Sequence, residues 1–115
     1  MTTSTVPMTR NAPESILQSQ VIQLAKMNGF RVHHARPVQQ ANGRWLTAIA
    51  GDAGFPDLVL AHPERGVLFL ELKAEKGKLS EAQIQWGHSL SKFVEYYLIR
   101  PQDLEKLAKR LGAPR

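Results

Sequence analysis

The chain has no cysteine. Disulfides and thiolate metal sites are therefore excluded, and a reducing compartment suits it. No apolar run approaches the roughly 20 residues that span a bilayer. The polar, Thr-rich start from Met1 to Arg10 lacks the apolar segment of a secretory leader. The expectation is a cytoplasmic protein without a membrane partner. Acid is the scarcer charge, with 10 Asp and Glu against 15 Lys and Arg, a formal balance of +5. Such a balance fits a polyanionic partner.

What is present suffices for one core. A length of 115 residues with 43% hydrophobic content is ordinary for a single globular domain. Residues 1–10 read as a loose, flexible tail and 11–112 as the domain. Asn11-Ala12-Pro13-Glu14 reads as a helix start, with Asn11 as N-cap and Glu14 at N3 in a capping-box-like pattern. Ile16, Leu17, Val21, Leu24 and Ala25 follow helical spacing up to a stop at Gly29. Phe30 to Ala35 is a short strand halted by Pro37. Asn42-Gly43 marks a hairpin turn, and Trp45 to Ala50 is the returning strand.

Two further apolar runs, Asp57 to Leu60 and Val67 to Lys73, flank a turn at His62-Pro63-Glu64-Arg65-Gly66 and predict a second hairpin. Ser80-Glu81-Ala82-Gln83 is a capping box opening a second helix, with Ala82, Ile84, Trp86 and Leu90 as its apolar positions. Val94 to Ile99 is the last strand, and Gln102 to Leu111 a third helix ending at Gly112. The order is helix, three or four strands, helix, strand, helix. It predicts an α/β fold with a mixed central sheet flanked by helices. The strands either side of the second helix should lie parallel, through a right-handed crossover.

Alternation along Val67 to Lys73 places Glu71 and Lys73 on the face shared by Val67 and Phe69, and Leu68, Leu70 and Leu72 on the other. With apolar residues on both faces, this strand should be central and covered on both sides. Charge enters only at its C-terminal end, where open α/β sheets bind ligands. The hairpin carries Asp57 to the same end. Two carboxylates and one ammonium at one spot suit phosphodiester hydrolysis, which needs a nucleophilic water and neutralisation of phosphate charge. A hard divalent cation, Mg²⁺ or Mn²⁺, held by carboxylates meets both needs. Asp57 and Glu71 would be its ligands, with the Leu72 carbonyl a third. Lys73 would hold or help deprotonate the water and stabilise phosphate charge. With Glu14, Asp57, Glu71 and Lys73 set aside as one site, the rest of the chain carries 14 bases against 7 acids.

Pro56-Asp57, followed by Glu71-Leu72-Lys73, resembles the signature of the PD-(D/E)XK nucleases, which have a restriction-endonuclease-like core. Within that group, Gly54-Phe55-Pro56-Asp57, Glu71-Leu72-Lys73 and Gly77-Lys78-Leu79-Ser80 with Gln83 and Trp86 resemble the VRR-NUC domain family. The likeness extends to Glu14 and Gln18 in the first helix and covers Glu14 to Leu107. The resemblance implies that Glu14 reaches the metal, directly or through water, and that Gln83 lines the site; each also has a capping role. It implies a stand-alone bacterial or phage endonuclease, acting as a homodimer on branched DNA such as four-way junctions.

Lys76, Lys78, Arg31, Arg36 and Arg44 are the candidate phosphate contacts, with the two lysines foremost because their loop follows the catalytic strand. His33 and His34 are neighbours on a strand, so they point to opposite faces and cannot share one ion. Trp45 and Trp86 carry rings able to stack on bases, but Trp86 falls on the apolar face of its helix and reads as core. Two other functions compete: a DNA-binding module on a nuclease fold that does not cut, and a metal-independent RNA-processing role. The first does not need the Asp57, Glu71 and Lys73 cluster. The second would use histidine, lysine or tyrosine.

Overall fold

The structure is a computed structural model and describes residues 13–35, 38–46 and 50–113. The proposed tail 1–10, the Asn11 cap, Arg36 and residues 47–49 of the expected Trp45 to Ala50 strand lie outside them. The fold is α/β, with helices packed on a four-stranded mixed sheet. In chain order the elements are α1 (Glu14–Met27), β1 (Arg31–His34), β2 (Val38–Gln39), β3 (Trp45–Leu46), β4 (Leu58–His62), β5 (Gly66–Leu72), α2 (Glu81–Ser91), β6 (Glu95–Ile99) and α3 (Leu104–Leu111). A 3-10 turn, Pro101–Asp103, leads into α3.

The sheet order is β1-β4-β5-β6. β4 and β5 form the expected antiparallel hairpin, with Leu58 opposite Leu70 and Leu60 opposite Leu68. β5 and β6 run parallel, as the intervening helix predicts, with Leu72 beside Ile99. Alternation sorts the faces. Leu58, Leu60, Leu68, Leu70 and Leu72 are fully buried and meet Leu17, Val21 and Ala25 of α1 and Leu107 and Leu111 of α3 in one core. The three α1 residues recur every fourth position, one stripe down the helix. On the opposite face Phe69 lies beneath Phe55 at a ring separation of 6.0 Å, edge to face, and α2 packs over β6. β5 is central, as expected, but its second face is open at its start, where Val67 is exposed.

Three local expectations are corrected. The Asn42-Gly43 turn joins β2 to β3 as a separate two-stranded sheet, whereas β1 pairs with β4. Turn chemistry is local; partner choice is not. Val32 and His34 align with the core-facing Leu60 and Leu58, so β1 completes the main sheet by extending its buried face. Second, α1 starts one residue after Pro13, which occupies the N-cap position without a side-chain cap bond. Glu14 is thus the first helical residue, not N3, and the capping role expected of it falls away. Third, Ile84 is 47% exposed. α2 approaches the sheet through Gly87, its one buried residue. A Cβ there would lie 2.7 Å from the Tyr96 hydroxyl oxygen.

Candidate functional site

The end of β5 and the start of β4 bring Asp57 and Glu71 together. Gly54 makes this possible. Its φ is +99°, and a Cβ there would sit 2.6 Å from the Ala82 carbonyl carbon, so only glycine lets the 52–56 loop lie against the first turn of α2. Pro56 is buried behind it. Asp57 then turns its Oδ2 to accept the Leu72 backbone N–H at 2.8 Å. This bond ties the carboxylate to the strand that carries Glu71.

Glu71 is 1% exposed, the one charged side chain among the buried residues described. A carboxylate in that position demands a partner. Gln83 supplies it: Nε2 donates to Glu71 Oε2 at 3.0 Å. The same amide also caps its helix, with Oε1 accepting the Ser80 N–H at 2.9 Å while Ser80 Oγ accepts the Gln83 N–H at 3.1 Å. One end of the Gln83 amide thus caps α2 while the other donates to Glu71.

The electrostatics show what else faces this spot. The Glu71 carboxyl is pushed up from 4.5 to about 8, by burial first, then by the charge of Asp57 and a hydrogen bond with it. Lys73 opposes the shift, and Glu14 adds to it. Glu14 is itself raised, by partial burial first and then by Asp57, again opposed by Lys73. Glu14, from the start of α1, and Glu71, on β5, thus both feel the charges of Asp57 and Lys73. Among the described residues, no three His, Cys, Asp or Glu side chains form a ready-made metal cage. The donors that do meet, Asp57 and Glu71, are hard oxygen ligands. Such a pair suits a cation that keeps several of its own waters.

Lys73 leaves the strand with its N–H donating to the Ile99 carbonyl at 3.1 Å. Its stem runs along the following turn, where a Cβ on Gly77 would lie 3.4 Å from Lys73 Cδ. Lys76 and Lys78 stand exposed on that turn. Arg44 is exposed on the β2–β3 turn, its N–H donating to Asn42 Oδ1 at 3.0 Å. Arg31 lies away from Glu71. In the register it aligns with Ala61 and Val67, four residues or about 13 Å along β5 from Glu71. His33 and His34 divide as expected, one exposed and one half-buried.

Two residues at the site are missing from the sequence prediction. Arg100 follows β6 as Lys73 follows β5. Its Nη1 donates to the carbonyls of Ala74 at 2.7 Å, Glu75 at 2.9 Å and Gly77 at 2.8 Å, gripping the turn that carries the lysines. The signal available was its position: parallel strands end side by side, so the residue after one neighbours the residue after the other. Tyr96, opposite Phe69, has its phenol raised by burial first and then by the charges of Glu71 and Asp57.

A family model described as the VRR-NUC domain matches residues 38–101, more than half the chain. The match spans Asp57, Glu71, Lys73, Gln83 and Arg100, and it supports a nuclease-type, DNA-processing function. No curated protein and no solved structure gives a match. No helix among the described residues is long and apolar enough to cross a membrane.

Proposed function

The chain belongs to the VRR-NUC domain family, and from that premise we propose that it is a divalent-metal-dependent endonuclease hydrolysing DNA phosphodiester bonds, selective for branched or four-way junction DNA and active as a homodimer. The observation that carries the metal-dependent part is the Asp57–Glu71 pair, one carboxylate fixed by a backbone N–H and the other by Gln83, with Lys73 beside them.

Asp57, Glu71 and the Leu72 carbonyl hold Mg²⁺ or Mn²⁺ in this proposal, with Glu14 reaching it from α1. When bound, the cation supplies positive charge to the phosphate and acidifies an attacking water. The chain's own groups do the rest. Gln83 keeps Glu71 Oε2 oriented. Lys73 accepts or steers the proton of the attacking water and then faces the charge that builds on the phosphate oxygens. Lys76, Lys78 and Arg44 hold the neighbouring phosphates in this reading. Arg31 and Arg36 remain in the proposed DNA contact set, Arg31 at the far end of the sheet. A two-fold homodimer presents one such site to each of two strands, which symmetric junction cleavage requires.

The test is cleavage of linear, flapped and four-way junction DNA with Mg²⁺ or Mn²⁺, run beside Lys73→Ala. The expected result is cutting of the branched substrates that disappears in EDTA and in Lys73→Ala while binding persists. Cleavage indifferent to EDTA would overturn the metal mechanism. Binding without cleavage by metal-loaded wild type would establish the alternative, a DNA-binding module that does not cut.

A further inference from the structure

The loop that delivers Asp57 and the helix that delivers Gln83 also enclose a groove of about 510 Å³, lined by Asp52, Ala53, Ala82, Gln85, Trp86 and Ser89. Its walls are fixed. The Trp86 indole Nε1–H donates to the Ala53 carbonyl at 3.1 Å, Phe55 stands edge-on to the indole at 5.0 Å, and Gly54 lies flush on Ala82. Trp86 is half-buried rather than part of the core. It lies one helical turn, about 5 Å along the axis, from Gln83, the residue that holds Glu71.

The chemistry of the lining selects its ligand. Its one charged residue is Asp52, and it includes no lysine or arginine. A phosphate would be repelled from it. A nucleobase would not: an aromatic ring offers a stacking surface to any base, and a carboxylate with an amide and a hydroxyl offers acceptors to exocyclic amino groups. Guanine, cytosine and adenine carry such a group and thymine does not. A base locked in a duplex cannot enter, whereas an unpaired one at a flap or junction can. We infer that the Trp86 groove is a binding site for one unpaired, amino-bearing nucleobase next to the scissile phosphate. The inference rests on the nuclease reading above for the identity of the phosphate, and on the groove alone for the base.

Two measurements separate the two. Binding of short single-stranded oligonucleotides is followed by tryptophan fluorescence in EDTA, in a Trp45→Phe background so that Trp86 is the one reporter; no cleavage is needed. Quenching should be stronger with oligo-dG or oligo-dC than with oligo-dT, and Asp52→Ala, an exposed change that removes the acceptor, should weaken that preference. Loss of one base stack, by Trp86→Leu read through the fluorescence anisotropy of a dye-labelled oligonucleotide or by an abasic oligonucleotide on the Trp45→Phe protein, should weaken binding roughly tenfold. Equal quenching by dT and dG in the Trp45→Phe protein, or an unchanged preference once Asp52→Ala is added, would overturn the base site. In the cleavage arm, flapped DNA with an abasic branch residue should show a raised KM with wild type; an unaltered KM would likewise overturn it. Quenching with the stated preference but no cleavage by metal-loaded wild type would leave the base site standing and sink the nuclease reading instead.

Discussion

At Gln83 one amide meets two demands that a carboxylate could not meet together. Its oxygen caps α2 and its nitrogen donates to a buried carboxylate. Glutamate at this position caps helices just as well but would present negative charge to Glu71. Gln83→Glu should therefore keep its helix content by far-UV circular dichroism and still lose on the order of 1–3 kcal/mol in urea unfolding at pH 8, the cost of leaving a buried acceptor without its donor. Equal stability of the two proteins would mean that the Glu71 contact contributes nothing. Glu71 itself sets a pH dependence. Its folded carboxyl titrates at about 8 against an ordinary 4.5, so the folded state keeps a proton that the unfolded chain releases. Stability from this group is complete below about pH 4.5 and is lost as the pH rises through 8. The raised Glu14 carboxyl acts in the same direction. In EDTA, the melting temperature should fall between pH 5 and pH 8.5. Added Mg²⁺ or Mn²⁺ should restore it, more at the alkaline end, because the cation takes over the proton's role. A melting temperature that is flat with pH and unmoved by the cation would contradict both the titration and the proposed metal site.

Among the elements, the β4–β5 hairpin and its charged end were legible because all the signals lie within seventeen residues: alternation, a turn, and charges confined to one end. The partner of β1 was not, because it depends on which buried face has room for another strand, and the Asn42-Gly43 turn satisfies itself locally with β2 and β3. The packing of α2 was misread for a related reason. Apolar periodicity points to Ile84, but the close contact is made by Gly87 beneath Tyr96, and a glycine leaves no hydrophobic signal. Glu14 shows the converse: a capping pattern extended to a residue that is simply the first of its helix. The 74–77 turn supplies a prediction at this scale. Three carbonyls converge on Arg100, so Arg100→Ala should free the turn and the Lys73 stem lying on it. Amide exchange across residues 74–79 should accelerate while β4 and β5 keep their protection, and kcat for DNA cleavage should fall more than KM rises. Arg100→Lys, which keeps the charge but not the planar fork, should recover part of the loss. Unchanged exchange in Arg100→Ala would show that the turn holds without its clasp.

For the whole molecule, charge and symmetry make separate claims. An excess of base outside a small acidic site means that DNA binding should weaken steeply with salt, as released counterions are paid back to solution. Lys76→Ala and Lys78→Ala should each reduce the slope of log K against log salt by about 1 for a duplex contact. Fluorescence anisotropy between 50 and 200 mM salt reads this directly, and an unchanged slope would remove that lysine from the contact set. Symmetry is tested by counting cuts. If two protomers each serve one strand of a four-way junction, a dimer with one active copy nicks a single strand and cannot make the paired cut. Mixing wild type with Lys73→Ala under conditions that allow subunit exchange should make paired cuts decline as the square of the wild-type fraction, with single nicks rising to fill the difference. At equal amounts, about a quarter of the paired-cut activity should remain, the share of wild-type dimers expected from two-fold pairing at random. A linear decline to one half, with no excess of nicks, would mean that each chain cuts alone and that the homodimer should be abandoned while the metal site stands.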